Sequence, residues 1–154
     1  IINLPLIINE KEANSEPILQ LEYAMGAAIN TFKKSCSIIV NRTRFLPVKK
    51  TSDLMILQSN IIKKEESGQI SFSLENKSKQ LPIIKLSKEF TTVNDYLKRV
   101  KHPPSLTKLD SLELDGNIYI NKKTTFEGTV KIKITNNKKY TLQKSHYKNE
   151  TIII

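Results

Sequence analysis

Lys49 and Lys50 follow Pro47-Val48 and stand directly before Thr51-Ser52-Asp53, and that order of residue types can hold an anion. Threonine, serine and aspartate are good helix N-caps, and the apolar run Leu54-Met55-Ile56-Leu57 that follows them is long enough to begin a helix. The unpaired N–H groups and positive dipole end of such a helix favour negative charge. Two ammonium groups at its start, with Arg42 and Arg44 a few residues upstream, describe a phosphate-binding corner at the end of a strand. A cationic surface turn that merely precedes an ordinary helix has the same spelling, so spacing alone leaves both readings open.

The other residues with chemical potential carry weaker signals. Cys36 is the single cysteine, so the sequence offers no internal disulfide and fits a reducing cytoplasmic compartment; within Ser35-Cys36-Ser37-Ile38-Ile39-Val40 it reads as a packed, inert thiol on a buried strand. His102 precedes Pro103-Pro104 and His146 lies in a polar tail, neither with a partner at metal-ligand spacing, so neither is assigned chemistry. The charge of +10 raises the question of nucleic acid, yet residues 121–154 carry eight lysines against Glu127 and Glu150, so most of the excess sits far from Lys49. Aromatics make up 6% of the chain and do not interleave with the basic residues as a base-stacking surface requires, so no nucleic-acid partner is expected. No apolar run approaches the roughly 20 residues that span a bilayer, and no membrane partner is expected either. Without an initiating methionine, the sequence reads as the tail of a longer protein.

The elements that must position these groups alternate in type. Leu4–Ile8 and Ile18–Leu21 read as short strands, Glu22–Lys34 as a helix, and Ser37–Val40 as a further strand. A second helix is predicted from Thr51 to about Lys64 with Leu54, Leu57 and Ile61 on one face. Strands over Gln69–Glu75 and Pro82–Leu86 and a helix over Val93–Val100 follow. This alternation implies an α/β sheet with its ligand at the carboxyl ends of strands. Beyond His102-Pro103-Pro104 the period changes. Leu114, Ile120, Phe126 and Ile132 recur every six residues, as do Leu112, Ile118, Thr124 and Val130, with Gly116 and Gly128 twelve apart. A six-residue step that buries one aliphatic per side is the pattern of a parallel β-helix; an antiparallel meander is the alternative, since Val130–Ile134 also alternates at period two. Tyr140–Leu142 and Thr151–Ile154 read as a last coil and an added strand, and the apolar end Ile152-Ile153-Ile154 hints at a subunit contact.

Three motifs in order resemble the UTP–glucose-1-phosphate uridylyltransferase family. RFLPVKKTSDLMILQS, Arg44 to Ser59, resembles that family's FLPVKxTSDLLLxQS. LQLEYAMGAAINTF, Leu19 to Phe32, resembles its QLExAxGAAIxxF. Phe90, Tyr96-Leu97-Lys98-Arg99, Pro104, Leu109-Asp110-Ser111-Leu112 and Gly116 follow its C-terminal portion nearly in register. The likeness runs from about Leu4 to about Leu142 and is poor over Glu65–Gln80.

The resemblance implies a fold and an activity. The fold would be the end of a Rossmann-like nucleotidyltransferase α/β domain over residues 1–105, followed by a left-handed parallel β-helix over 106–154. The activity would be reversible uridylyl transfer, forming UDP-glucose and pyrophosphate from UTP and glucose 1-phosphate with magnesium. The alternatives are a related UDP-sugar pyrophosphorylase with another sugar 1-phosphate, or a non-catalytic β-helix module. On the family motif Lys49 is the catalytic, substrate-binding residue that touches phosphate, while Lys50 matches a small residue and reads as a solvated lysine. Glu22 and Gly26 read as architecture: a carboxylate at a helix start, and close packing. The family's Gly-rich nucleotide loop has no counterpart among Gly26, Gly68, Gly116 and Gly128. The uridine pocket and the magnesium ligands are therefore expected outside this sequence, and the segment alone is expected to be inactive. Homo-oligomers would form through the C-terminal β-helix.

Overall fold

LIINEKEA and EPILQLEY are rich in branched and long apolar residues, and they pair as the antiparallel strands β1 (Leu6–Ala13) and β2 (Glu16–Tyr23) in register from Leu6 opposite Tyr23 to Ala13 opposite Glu16. The computed structural model describes residues 3–13, 15–40, 45–66, 68, 70–136 and 138–154. The strands run longer than the apolar clusters because the ladder continues through Glu10–Glu12 and Pro17 up to a turn in which Ser15 takes a φ of 64°. A 3-10 helix, Met25–Thr31, follows the hairpin in place of the longer helix expected over Glu22–Lys34. Glu22 stands on β2, where its carboxylate accepts from Asn9 and Gln20, so it does not open a helix. A Cβ at Gly26 would meet nothing within 4 Å, so the small residue is not held there by close packing in this unit. Ser37–Val40 forms no strand and Cys36 is exposed, correcting the buried-strand expectation: an apolar run needs a neighbour to take its amides and cover its faces, and among the described residues it has none.

Residues 1–40 form one compact unit and residues 41–154 a second. Residue 105, where a domain boundary was expected, lies inside the second unit. That unit opens with α1, Thr51–Gln58. The helix stops well short of Lys64 because the Ser59 amide is shared between the Met55 and Ile56 carbonyls, with its hydroxyl donating back to Ile56 O at 2.7 Å. The β-branched Ile62 then enters β3 (Ile62–Lys64), antiparallel to β4 (Ile70–Phe72).

The remainder is organised by parallel ladders. In the first, β5 (Ile83–Leu86), β6 (Leu109–Asp115), β8 (Thr125–Lys133) and β11 (Thr151–Ile153) lie side by side, so that Leu86, Leu114, Ile132 and Ile152 form one row. A second ladder joins β7 (Ile118–Tyr119) to β9 (Tyr140–Thr141), extended by a Val100–Ile120 bridge. A third joins β8 to β10 (His146–Lys148), extended by a Ser105–Thr125 bridge. The chain thus returns to the same ladder after a few six-residue steps, Leu112 lying opposite Val130. The antiparallel meander is overturned by this pairing. The eight residues of the two six-residue registers are all buried, each no more than 2% exposed. Thr124 is the polar member, and its hydroxyl donates to Lys122 O at 3.0 Å.

Between β5 and β6 the chain makes a 3-10 turn, Lys88–Phe90, and α2, Val93–Arg99, capped by Thr92, whose hydroxyl oxygen accepts the Asp95 amide. Arg99 ties α2 to the ladders. Its guanidinium lies 5.8 Å from the Phe90 ring centre and 5.5 Å from that of Tyr119, and donates to Asn117 Oδ1 at 3.0 Å.

Two close approaches of the backbone need glycine. Gly116 (φ 106°) lies under Ile134, whose carbonyl oxygen would be 2.8 Å from an added Cβ. Gly128 (φ 67°) lies under Asn149, whose Oδ1 would be 1.9 Å from one and accepts the Thr129 amide at 3.0 Å. Gly128→Ala therefore both strains the backbone and displaces that acceptor, an expected loss of about 2 kcal/mol. Urea unfolding of the variant checks this; an unchanged midpoint contradicts the close approach.

Candidate functional site

The Lys49 corner is built by α1 and by one carboxylate. Lys50 has extended backbone (φ −129°, ψ 164°) and is the N-cap, so Thr51 is the first helical residue rather than part of the cap. Asp53, in the first turn, reaches back: its Oδ2 accepts the amides of both Lys49 and Lys50 at 2.9 Å each. This is the reverse half of a capping box, and it also places a negative charge at the positive end of the helix. The backbone of Lys49 is thereby fixed while its side chain stays exposed. Among the described residues, neither the Lys49 nor the Lys50 ammonium group forms an ion pair or hydrogen bond. Arg42 and Arg44, expected to join this corner, lie outside the described residues.

The helix is anchored below the corner. Met55 is fully buried, Ile56 nearly so, and Ile61 joins them in the core, whereas Leu57 is 40% exposed. Of the expected Leu54, Leu57 and Ile61 face, Ile61 is buried and Leu54 packs against the core, while Leu57 is exposed and Met55 is buried in its stead. At the far end, Gln58 Oε1 accepts the Tyr96 hydroxyl at 3.0 Å, and Asn60 links to the third ladder through Ser105 Oγ (2.8 Å) and the Leu106 amide (2.9 Å). Burial pushes the Tyr96 phenol above its ordinary value, so it remains a neutral donor to Gln58.

Lys49 and Lys50 open into a cleft of about 480 Å³. Ser52 lies beside them, and Lys85, Ser87 and Thr91 line the opposite wall. Sequence reasoning missed Lys85. Its position between Ile84 and Leu86 marks it as outward on a strand, but only the packing of α1 on β5 brings it to this cleft. A larger, more open cleft of about 690 Å³ lies at the other end of α1, lined by Gln58, Asn60, Pro104, Ser105, Thr125 and His146. Its Gln58, Asn60 and Ser105 side chains are already engaged in the bonds that anchor the helix, so the smaller, cationic cleft is the candidate site.

Among the described residues there is no group of three or more His, Cys, Asp or Glu side chains that could hold a metal ion. The carboxylate at the corner, Asp53, is occupied by two amides. His146 finds a partner that sequence spacing did not show: its Nε2 lies 3.2 Å from Glu127, which also pairs with Lys148 at 2.7 Å. The Lys148 hydrogen bond, foremost, holds the Glu127 carboxyl below the usual glutamate range. Lys131, Lys133 and Lys144 likewise pair with Glu113, Asp115 and Glu150, so much of the C-terminal positive charge is compensated locally.

The profile of the family described as UTP–glucose-1-phosphate uridylyltransferase matches residues 1–127. A UTP–glucose-1-phosphate uridylyltransferase 2 from Dictyostelium discoideum is 40% identical over 128 residues, 83% of this chain and 25% of that protein. A UTP–glucose-1-phosphate uridylyltransferase from Pyrus pyrifolia is 38% identical over 131 residues, 85% of this chain and 28% of that protein. Among solved structures, a UDP-glucose phosphorylase from Trypanosoma brucei superposes with a TM-score of 0.81 at 30% identity, over 100% of this chain and 35% of that one. A UDP-glucose pyrophosphorylase from Leishmania major in complex with UDP-glucose gives 0.77 at 28% identity, over 98% of this chain and 33% of that one. The chain therefore spans between a quarter and about a third of the proteins it matches.

The corner's geometry has a direct test. Asp53→Ala removes the acceptor of two amides and is expected to cost about 1 kcal/mol, while Asp53→Asn, which keeps an acceptor oxygen, should recover part of it. Thermal unfolding of both variants reads the difference; equal stability of Asp53→Ala and the parent contradicts the clamp.

Proposed function

The chain belongs to the UTP–glucose-1-phosphate uridylyltransferase family of nucleotidyltransferases, and we propose that it supplies the C-terminal part of an enzyme that forms UDP-glucose and pyrophosphate from UTP and glucose 1-phosphate. The observation that carries this reading is the Lys49 corner, whose backbone is held by Asp53 and whose ammonium group opens into a cationic cleft. In the proposed reaction a phosphate oxygen of the sugar phosphate attacks the α-phosphorus of UTP in line. The bond to the β-phosphate oxygen breaks and pyrophosphate leaves. Charge gathers on the phosphoryl oxygens as this happens, and the protein's main task is to position the two anions and offset that charge. Lys49 is the substrate-binding and catalytic residue here: a flexible ammonium group whose backbone position is fixed can follow the phosphoryl oxygens as they move.

The uridine pocket, most sugar contacts and the magnesium ligands are assigned to parts of the enzyme outside this chain, together with the substrate phosphates. The segment alone is accordingly read as inactive. The parallel ladders and their six-residue burial registers support a left-handed β-helix over the C-terminal region. Ile153 on β11 and Ile154, both exposed, support a subunit contact between copies of the enzyme, which a purely monomeric sedimentation profile of the full-length protein would remove. A reducing cytoplasm remains the proposed location, on the single unpaired Cys36. No helix is long and apolar enough to cross a membrane among the described residues.

Lys49→Ala in the full-length enzyme is expected to lower kcat/KM about 100-fold, or about 3 kcal/mol of transition-state stabilisation. Steady-state pyrophosphorolysis measures this. A variant within twofold of the parent would refute the role given to Lys49.

A further inference from the structure

Among the described residues the outward row of the first ladder leaves one cation, Lys85, without an ion pair. Lys85 on β5, Glu113 on β6 and Lys131 on β8 lie directly opposite one another. Glu113 pairs with Lys131 at 2.9 Å, and in the next row Asp115 pairs with Lys133 at 3.0 Å. Glu113 and Asp115 of β6 are thus taken by β8, and Lys85 has no ion pair or hydrogen bond to its ammonium group among the described residues. It lines the cleft with Lys49 and Lys50.

Among the described residues no other lining group answers these three charges. Ser87 is committed, donating to Glu89 at 2.6 Å and accepting the Gly116 amide at 2.9 Å. Among the described residues the remaining polar side chains in the lining are the hydroxyls of Thr51, Ser52 and Thr91, and none is a carboxylate. Three ammonium groups around one cleft repel each other, and the ligand that relieves this best carries several negative charges over more than one phosphoryl group. Among the described residues the lining offers no aromatic or amide side chain for a base or a sugar ring.

We propose that Lys85 is a second anion-binding residue of the Lys49 cleft and that it contacts pyrophosphate, the leaving group of the forward reaction and a substrate of the reverse one. This rests on the reading of the Lys49 cleft as a phosphate site. Lys49 holds the phosphoryl group that is transferred, and Lys85, on the facing wall, holds the diphosphate that departs. Because Lys85 is exposed on an edge strand, its replacement leaves the core intact.

The test uses the full-length enzyme in the pyrophosphorolysis direction, with KM measured separately for pyrophosphate and for UDP-glucose. Lys85→Met is expected to raise KM for pyrophosphate about tenfold, as the loss of one charge-assisted hydrogen bond does, and to leave KM for UDP-glucose within about twofold. Lys85→Arg, which keeps the charge, should stay close to the parent. An unchanged KM for pyrophosphate in Lys85→Met, or an equal rise in both constants, overturns the proposal. Lys49→Ala run in parallel separates the two ideas. A shift in Lys85→Met beside a silent Lys49→Ala removes the role of Lys49 and keeps the second contact. A silent Lys85→Met beside an impaired Lys49→Ala removes only the second contact.

Discussion

Two hydrogen bonds from the amides of Lys49 and Lys50 to the Asp53 carboxylate set the direction in which the chain enters α1. A lysine ammonium group at the end of four flexible carbons has little positional value unless the backbone that carries it is fixed. Asp53 does this without neutralising either lysine, because its accepting oxygen is spent on backbone N–H groups rather than on the ammonium groups. The arrangement keeps a carboxylate in the first turn, where the helix dipole favours it, and leaves both cationic side chains facing the cleft.

The clamp would be of little use on a loose helix, and α1 is only eight residues long. Helices of that length are marginal in isolation, so its stability has to come from packing. Met55 and Ile61, with Leu54 packed against the same core, supply that packing, and the Gln58–Tyr96 and Asn60–Ser105 bonds tie its far end to α2 and to the third ladder. The cationic corner and the parallel ladders therefore belong to one mechanical unit, residues 41–154. On the proposed function, the part of the enzyme that grips phosphate is carried by the C-terminal ladders, and Gly116 and Gly128 let Ile134 and Asn149 approach their backbone closely.

The C-terminal half was the most legible part of the sequence. A six-residue step over Leu112 to Ile132 can be read directly, because every position in the two registers must be small or apolar enough to enter a narrow core, and all eight are buried. The role proposed for Lys49 comes from the family motif, since residue type and spacing alone also describe a surface turn. Three features were hidden. The Glu22–Lys34 segment has helical spacing, but after a hairpin that takes Glu22 into β2 only a 3-10 helix forms over Met25–Thr31. The Cys36–Val40 run has the composition of a buried strand yet finds no ladder among the described residues, because composition does not reveal whether a neighbour is present. Lys85 looked like any outward lysine on a strand; its place opposite Lys49 follows from the packing of α1 on β5, a tertiary contact that no local pattern records.

The account stands on the reach of the Lys49 ammonium group to phosphate. A crystal structure of the full-length enzyme with UDP-glucose or pyrophosphate bound measures that reach directly. It should place Lys49 Nζ within charge-assisted hydrogen-bond distance of a phosphoryl oxygen, about 2.7–2.9 Å, with the Lys49 amide still bonded to Asp53. A well-ordered ligand with the Lys49 side chain turned to bulk solvent would contradict the account, whatever family the chain belongs to.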